Sequence, residues 1–390
     1  MTPERFLAAM VMFHVVLLFA AWRVDVRWRD PIRCARRGPS WVSALAADAV
    51  LLAIVTYVAA VAVTVIANLG FGRRLHLGAI STRLMGQALF GEAIVFALVL
   101  AMRHRQARQP RRAVGLAVGA LALFAVYVDA YHVEPRLLYV RHHEVAPSTG
   151  PTTGALRILH VTDIQTPVIG AHEERALREG MAERPDLIVL TGDYVEDAMG
   201  RHTEDQAAQD LRALMTRVGF TAPLGVFATD GDAGPPCDEV FAGTPVRCLV
   251  DASARVTLPG GATFSITGLS RNRGRERDPA WLSWILARAP RADRRIVISH
   301  APDFVDALPE PVDLVLAGHT HGGQVVIPFF GPPRTAMRLP RLYAGDLHDH
   351  RGTPLHVSRG VGMERDFMPP VRFLCPPEIC VLDVRLRASP

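Results

Sequence analysis

The sequence predicts a four-helix membrane unit followed by an α/β layered domain. Three observations carry this expectation. Four long apolar segments fill the first third of the chain. After residue 155, short apolar runs alternate with helix-like patterns, the order expected of stacked strands and helices. Five of those runs stop at a carboxylate or an imidazole, which packing alone does not require.

The apolar segments are Phe6 to Trp22, Ala49 to Ala67, Leu84 to Met102 and Ala113 to Tyr131. Each is about the length that crosses a bilayer's hydrocarbon core as a helix. The first lacks a basic lead-in and a small-residue cleavage site, so it reads as a span and not as a signal peptide. Trp22, Trp41 and Tyr131 fall near segment ends, where amphipathic rings favour the interface. The first loop carries Arg23, Arg27, Arg29, Arg33, Arg36 and Arg37, and the third Arg103, Arg105, Arg108, Arg111 and Arg112. The second carries mainly Arg73 and Arg74, with Arg83 at its edge. Positive loops stay in the cytoplasm, so both termini and everything after Tyr131 are expected outside. Glu92 and Asp48 lie within or beside the spans, in keeping with a bundle interior.

The chain has no lysine, and much of its formal net charge of +5 sits in those two loops. The basic balance therefore reads as membrane topology, and no nucleic acid is expected as a partner. Cys34 stands alone on the cytoplasmic side, whereas Cys237, Cys248, Cys375 and Cys380 are all expected outside, where disulfides persist. The pairing nearest in sequence is Cys237 with Cys248 and Cys375 with Cys380, one of three connectivities.

Residues 1–134 are read as the membrane region, 135–154 as a polar linker containing His142 and His143, and 155–390 as the soluble domain. Strands are expected at Leu156 to Thr162, Asp186 to Thr191, Leu224 to Ala228, Val256 to Leu258, Thr263 to Leu269, Arg295 to Ser299, Val312 to Ala317, Leu355 to Ser358 and Ile379 to Val384. Helices are expected at Glu173 to Glu183, Asp205 to Val218 and Trp281 to Ala289.

The ends of five strands carry the chemistry. They read Asp163-Ile164-Gln165, Gly192-Asp193, Asp230-Gly231-Asp232-Ala233-Gly234, His300 and Gly318-His319-Thr320-His321-Gly322-Gly323-Gln324. Ligands in α/β sheets gather at strand ends. Carboxylates and imidazoles meeting there make a mixed oxygen and nitrogen cage for two metal ions. His160 stands three residues before Asp163 on a strand and should face the other way.

The order and spacing of these motifs resemble the calcineurin-like metallophosphoesterases over Leu156 to Leu386. Membrane-anchored bacterial members share the run Gly318 to Gln324, and also Val357-Ser358-Arg359-Gly360 and Pro377-Glu378-Ile379. The resemblance implies a four-layer α/β/β/α sandwich and two divalent ions, manganese, iron or zinc. It implies that Asp163 and His321 hold the first metal, that Asp193 bridges, and that His300 and His319 hold the second. Gln165 stands where the family has a metal-binding histidine, so the first site is expected to be the weaker. Asp232 stands where the family has an asparagine ligand, and Ala233 where it has the histidine that assists the leaving group. Asp193, His319 and His321 are the expected catalytic set, with Arg359 and Arg365 as phosphate contacts, because guanidinium matches phosphate oxygens. His348 and His350 are candidate pocket residues, and Asp197 and Asp230 read as loop charges. The expected function is hydrolysis of a phosphate mono- or diester, lipid-linked given the membrane anchor. The alternative is a catalytically impaired relative that binds metal and a phosphorylated ligand as a sensor or assembly factor.

Overall fold

The computed structural model describes residues 77–145, 152–196, 204–365 and 369–387. The chain divides into two compact units, 1–132 with 364–370, and 133–363 with 371–390. The first two expected spans, Cys34, Asp48 and Asp197 lie outside the described residues.

In the first unit, helix α1 spans Leu77–Gln106 and helix α2 spans Pro110–Val128. The expected segments from Leu84 and Ala113 lie on these two helices. Proline at the start of α2 fits the first helical turn, where the missing N–H is no loss. Among the described residues one helical stretch, 110–136, is long and apolar enough to cross a membrane.

The second unit holds two six-stranded sheets. The first is ordered β1-β12-β2-β3-β4-β5 and the second β10-β11-β9-β8-β7-β6. Strands β2 (Thr152–Val161), β3 (Leu187–Leu190), β4 (Val226–Ala228) and β5 (Val246–Cys248) run parallel. So do β7 (Thr263–Gly268), β8 (Arg294–Ile298), β9 (Leu314–Ala317) and β11 (Thr353–Val357). Strands β6 (Ala252–Thr257), β10 (Asp346–His350) and β12 (Glu378–Arg387) add antiparallel pairings.

Three apolar layers show how the sheets stack. Helix α3 (Ala171–Ala182) and helix α4 (Glu204–Val218) bury Ala176, Leu177, Ala207, Leu211 and Leu214 on one face of the first sheet, against Leu159, Val161, Ile188 and Leu190. These apolar positions recur at helical spacing, which gives each helix one face to bury. The opposite face of that sheet presents Leu156, Ile158, Val189 and Leu382 to Ile266, Ile296, Leu314 and Leu316 of the second. Short helix α5 is Cys237–Val240. Helix α6 (Pro279–Arg288) covers the far face of the second sheet with Leu282, Ile285 and Leu286. Asp278 caps it by accepting a 3.0 Å bond from Trp281 N. The layers therefore read helix, sheet, sheet, helix.

Two differences from the sequence reading matter. Tyr139–Val145, inside the stretch read as linker, forms edge strand β1 and pairs in parallel with β12. Its charged, alternating side chains hide the strand, and its partner lies more than two hundred residues away. Cys237 and Cys248 are disulfide-bonded, as the nearest-neighbour pairing expects, but Cys375 and Cys380 are free and buried. Cys375 Sγ is held 3.2 Å from the His321 carbonyl, while Cys380 lies in β12 beside Ser358.

Two outcomes are expected from these features. A soluble fragment beginning at residue 154 removes β1 together with buried Leu138 and Val145, and bares the β12 edge. It should aggregate or unfold at lower denaturant than a fragment beginning at Val133; equal urea midpoints would contradict this. Alkylation of the denatured, unreduced chain should label Cys375 and Cys380 and spare Cys237 and Cys248. Replacing both bonded cysteines by serine should lower stability by about 3 kcal/mol, from the entropy of the closed loop.

Candidate metal centre

Loops after β2, β3, β4, β8 and β9 meet at one end of the two sheets, and backbone bonds stitch them together. Asp163 N donates to the Gly192 carbonyl at 3.0 Å, Gln165 N to that of Asp193 at 2.9 Å, and Gly318 N to that of His300 at 2.9 Å. Asp163, Gln165, Asp193, His319 and His321 all have positive φ, from +30° to +70°. Each such turn costs about 1–3 kcal/mol, and such strain gathers at functional sites. Here it swings the side chains out of the strand pleat and toward one another.

Close approach of the loops that carry these residues needs glycine at two positions, Gly318 between the two sheets and Gly231 between neighbouring loops of the first. A methyl group on Gly318 would stand 2.2 Å from both Asp163 Oδ2 and Thr162 Oγ1. One on Gly231 would stand 2.0 Å from Asp193 N.

The side chains converge. His300 donates from Nδ1 to the Thr191 carbonyl at 2.8 Å, which leaves Nε2 facing Asp193 at 3.2 Å and Asp232 at 3.8 Å. His319 donates from Nε2 to the Ala336 carbonyl at 2.9 Å, and its Nδ1 faces Asp232 at 3.1 Å. Outer bonds of this kind orient metal-binding histidines. His321 Nε2 lies 3.4 Å from Asp163 Oδ1. Asp163 also accepts from Thr162 Oγ1 at 2.7 Å and from His319 N at 3.1 Å.

Asp163, Asp193 and His300 form one group able to hold an ion, and Asp232, His300 and His319 a second. The electrostatics fit cations in both. Burial pushes the Asp163 carboxyl up to about 6, since no solvent stabilises its charge. Burial opposes protonation of His300, yet Asp193, Asp163 and Asp232 together push it up to about 10. Burial likewise opposes ionisation of Asp232, but its bond to His319 and the charges of His300, His319 and Arg275 hold it well below the usual carboxylate range. Three carboxylates that draw a proton onto a neighbouring imidazole call for positive charge, and a mixed oxygen and nitrogen donor set suits manganese, iron or zinc.

Of the residues expected from sequence, the structure brings Asp163, Asp193, Asp232, His300, His319 and His321 together. Gln165 is buried in the Asp163 turn. Ala233 contributes its backbone N–H to Asp193 Oδ1 at 2.7 Å. Arg359 lies with Nε 3.7 Å from Glu378, and Arg365 belongs to the other unit. His350 pairs with Asp306, and His348 donates to the Gly345 carbonyl. His160 faces the layer between the sheets, away from the cluster, as the strand alternation expects.

Three residues were not legible beforehand. Arg275 pairs with Asp232 and reaches His319 Nε2 at 3.2 Å. Arg372 is fully buried and donates to the carbonyls of His321, Arg359, Gly360, Gly362 and Cys375, tying the last loops to the histidine turn. Tyr194 Oη joins Gly192 N to the Thr229 carbonyl, fixing the turns that carry Asp193 and Asp232. An arginine or tyrosine acting through backbone carbonyls leaves no spacing motif to find.

A calcineurin-like phosphoesterase family model matches residues 156–323. A metallophosphoesterase of Aquifex aeolicus is 30% identical over 277 residues, covering 67% of this chain and 97% of the relative. The chain belongs to the calcineurin-like phosphoesterase family. The phosphodiesterase YaeI of Escherichia coli is 28% identical over 218 residues, covering 54% of this chain and 74% of that one. The UDP-2,3-diacylglucosamine pyrophosphatase LpxG of Chlamydia muridarum is 25% identical over 335 residues, covering 69% and 97%. Calcineurin-like phosphoesterases use divalent metals, which accords with the two clusters.

Gly318→Ala should force the Asp163 and His319 turns apart. Overpacking of this kind costs about 1–3 kcal/mol. Bound manganese should fall together with the melting temperature. A variant with native manganese content and native melting temperature would show that the close approach is dispensable.

Proposed function

We propose that this protein is a membrane-anchored, metal-dependent phosphoesterase whose domain lies outside the cytoplasm and which hydrolyses a lipid-linked phosphate ester. The observation that carries the reading is the convergence of buried Asp163, Asp193, His300 and His319 with half-buried Asp232 in one cluster. In this reading Asp163 and His321 hold the first metal, with the Gln165 amide replacing an imidazole. Asp193 bridges, and Asp232, His300 and His319 hold the second. When bound, a pair of such ions clamps a phosphate ester and makes water nucleophilic at neutral pH.

The chain's own groups then narrow the substrate. Ala233 has no proton to donate, and a missing general acid costs about 10²–10⁴-fold in rate. Arg275, beside Asp232 and His319, supplies fixed positive charge for phosphate oxygens but stays protonated, so it cannot replace that acid. Arg359 is the second guanidinium assigned to phosphate. Such a site suits a leaving group that departs without protonation, for example another phosphate. LpxG is named for a pyrophosphatase acting on a diacylated nucleotide sugar, which is chemistry of this kind.

A lipid-linked substrate is supported by the segment following the histidine turn. It passes Ala336 against His319 and also exposes Ile327, Phe329 and Phe330, with Leu342 exposed nearby. Arg341 stacks on Phe330 with 4.6 Å between guanidinium and ring centre. Apolar tips beside arginines suit an acyl chain below an anionic headgroup. Anchoring is supported by the apolar helical stretch 110–136, and the outward orientation by the arginine loops and the Cys237–Cys248 disulfide.

Full-length protein in detergent, loaded with manganese, should hydrolyse bis-p-nitrophenyl phosphate or p-nitrophenyl phosphate. Chelation and His319→Ala should each abolish turnover. The double change Gln165→His plus Ala233→His should raise turnover of an alkyl phosphate ester, whose alkoxide needs a proton to leave, by about 10²–10⁴-fold, and that of the p-nitrophenyl esters far less. If the natural chain is inactive on both esters and only the double variant turns over, the protein is a metal and phospho-ligand binder instead.

A further inference from the structure

The layer between the sheets is apolar except at the end nearest the metal centre. On β12, Cys380 lies directly opposite His160 of β2. Side chains two apart on a strand share a face. His143 of β1 pairs with Leu382 of β12, so it shares the face of Cys380. From the second sheet, His356 of β11 pairs with Leu316, an inter-sheet residue, and enters the same layer. Four adjacent strands, three from one sheet and one from the other, therefore bring three imidazoles and a thiol together. His160, His356 and Cys380 are fully buried.

One ligand atom each from His143, His356 and Cys380 lie within 4.8 Å of one another. A tetrahedral zinc ion with bonds of about 2.0–2.3 Å holds its donors about 3.3–3.8 Å apart, so modest rotation closes the set. Each of the three has an outer partner. Asp346 Oδ1 stands 3.5 Å from His143 Nδ1, the carboxylate–histidine arrangement that orients metal ligands. His160 Nδ1 lies 2.9 Å from His356 Nδ1, and His160 Nε2 lies 2.8 Å from Thr191 Oγ1. Ser358 Oγ lies 3.8 Å from Cys380 Sγ.

The independent observation is His356 Nε2, a fully buried nitrogen with no hydrogen-bond partner. Buried polar atoms are nearly always satisfied, so one left bare in a core needs a reason. If His160 donates through Nε2 to Thr191, its Nδ1 accepts from His356 Nδ1, and His356 Nε2 then carries a bare lone pair. A metal cation is the partner that a buried lone pair, a second oriented imidazole and a thiol have in common.

We propose that His143, His356 and Cys380 form a second, buried metal site for a thiophilic late first-row ion, zinc or copper, that joins the two sheets. Binding forms one metal–sulfur bond and two metal–nitrogen bonds and releases the Cys380 thiol proton to solvent. His160 is a positioning residue that fixes the His356 tautomer. The soft donor sets this site apart from the oxygen-rich phosphoesterase centre.

The test is cobalt substitution in the full-length protein in detergent, with Cys34→Ser as background. The expected result is a thiolate-to-cobalt charge-transfer band in the near ultraviolet. It should vanish in Cys380→Ser and His356→Phe and persist in Cys375→Ser, the other free cysteine among the described residues. His143→Asn, at a half-buried edge position, reports on the site if the core variants fail to fold. His160→Phe should weaken cobalt affinity about 10–100-fold while keeping the band. Elemental analysis of the purified chain then distinguishes zinc from copper, and loss of either ion in Cys380→Ser assigns it here. Cobalt bound without a thiolate band, or a band unchanged in Cys380→Ser, would overturn the proposal. Neither result depends on phosphoesterase turnover.

Discussion

Three carboxylates, buried Asp163 and Asp193 and half-buried Asp232, follow adjacent strands of one sheet and converge where little water reaches the first two. Each buried unpaired charge costs several kcal/mol, and their mutual repulsion adds to that. Much of the domain's local geometry answers this one constraint. Imidazoles arrive from the ends of β8 and β9 in the other sheet. The turns take left-handed backbone at five functional positions, and glycine stands where the two sheets touch. Main-chain carbonyls of Thr191 and Ala336 hold the histidines by their outer nitrogens, so the inner nitrogens are already aimed. The result is a preformed donor cage, which is what metal-assisted hydrolysis requires of its protein.

The same constraint explains why the departures from the family pattern are tolerated structurally. Gln165 is neutral, so it adds no charge to the crowded side of the cluster. Ala233 keeps the backbone N–H that Asp193 accepts, and the turn survives without the side chain. Arg275 restores positive charge at Asp232, on the side open to solvent. The backbone at Ala233 is therefore kept, and in the proposed reading it is the side chain's proton that is lost. A guanidinium stabilises negative charge that develops on oxygen, but it cannot lower the barrier for an alkoxide that needs a proton to leave.

How much of this was legible beforehand depended on whether the signal was local. Apolar runs ending in Asp163, Asp193, Asp232, His300 and His319 announce both strand and site, because strand and ligand are adjacent in sequence. Their meeting could be expected, since parallel strands deliver their ends to one edge. Strand β1 was not legible, because its partner β12 is distant and Arg141, His142, His143 and Glu144 resemble a solvated linker. Arg372 and Tyr194 were missed for a related reason: they act on main-chain carbonyls, and any chain offers those everywhere. The cysteines show both cases. Cys237 and Cys248 are brought together within one local excursion between β4 and β5, whereas Cys375 and Cys380 are equally near in sequence but turn to different layers.

Thr191 connects the two clusters. Its hydroxyl meets His160, and its carbonyl accepts from His300. It stands at the end of β3, two residues before Asp193, with no exposure to solvent. A change in the inter-sheet layer that moved His160 would therefore act directly on the residue that orients a histidine of the phosphoesterase centre. The path is one residue long and covalently rigid, so a shift there has few ways to relax before reaching His300. The polar end of an otherwise apolar core is thus placed where packing between the sheets and orientation of the ligands meet in one side chain and its own backbone.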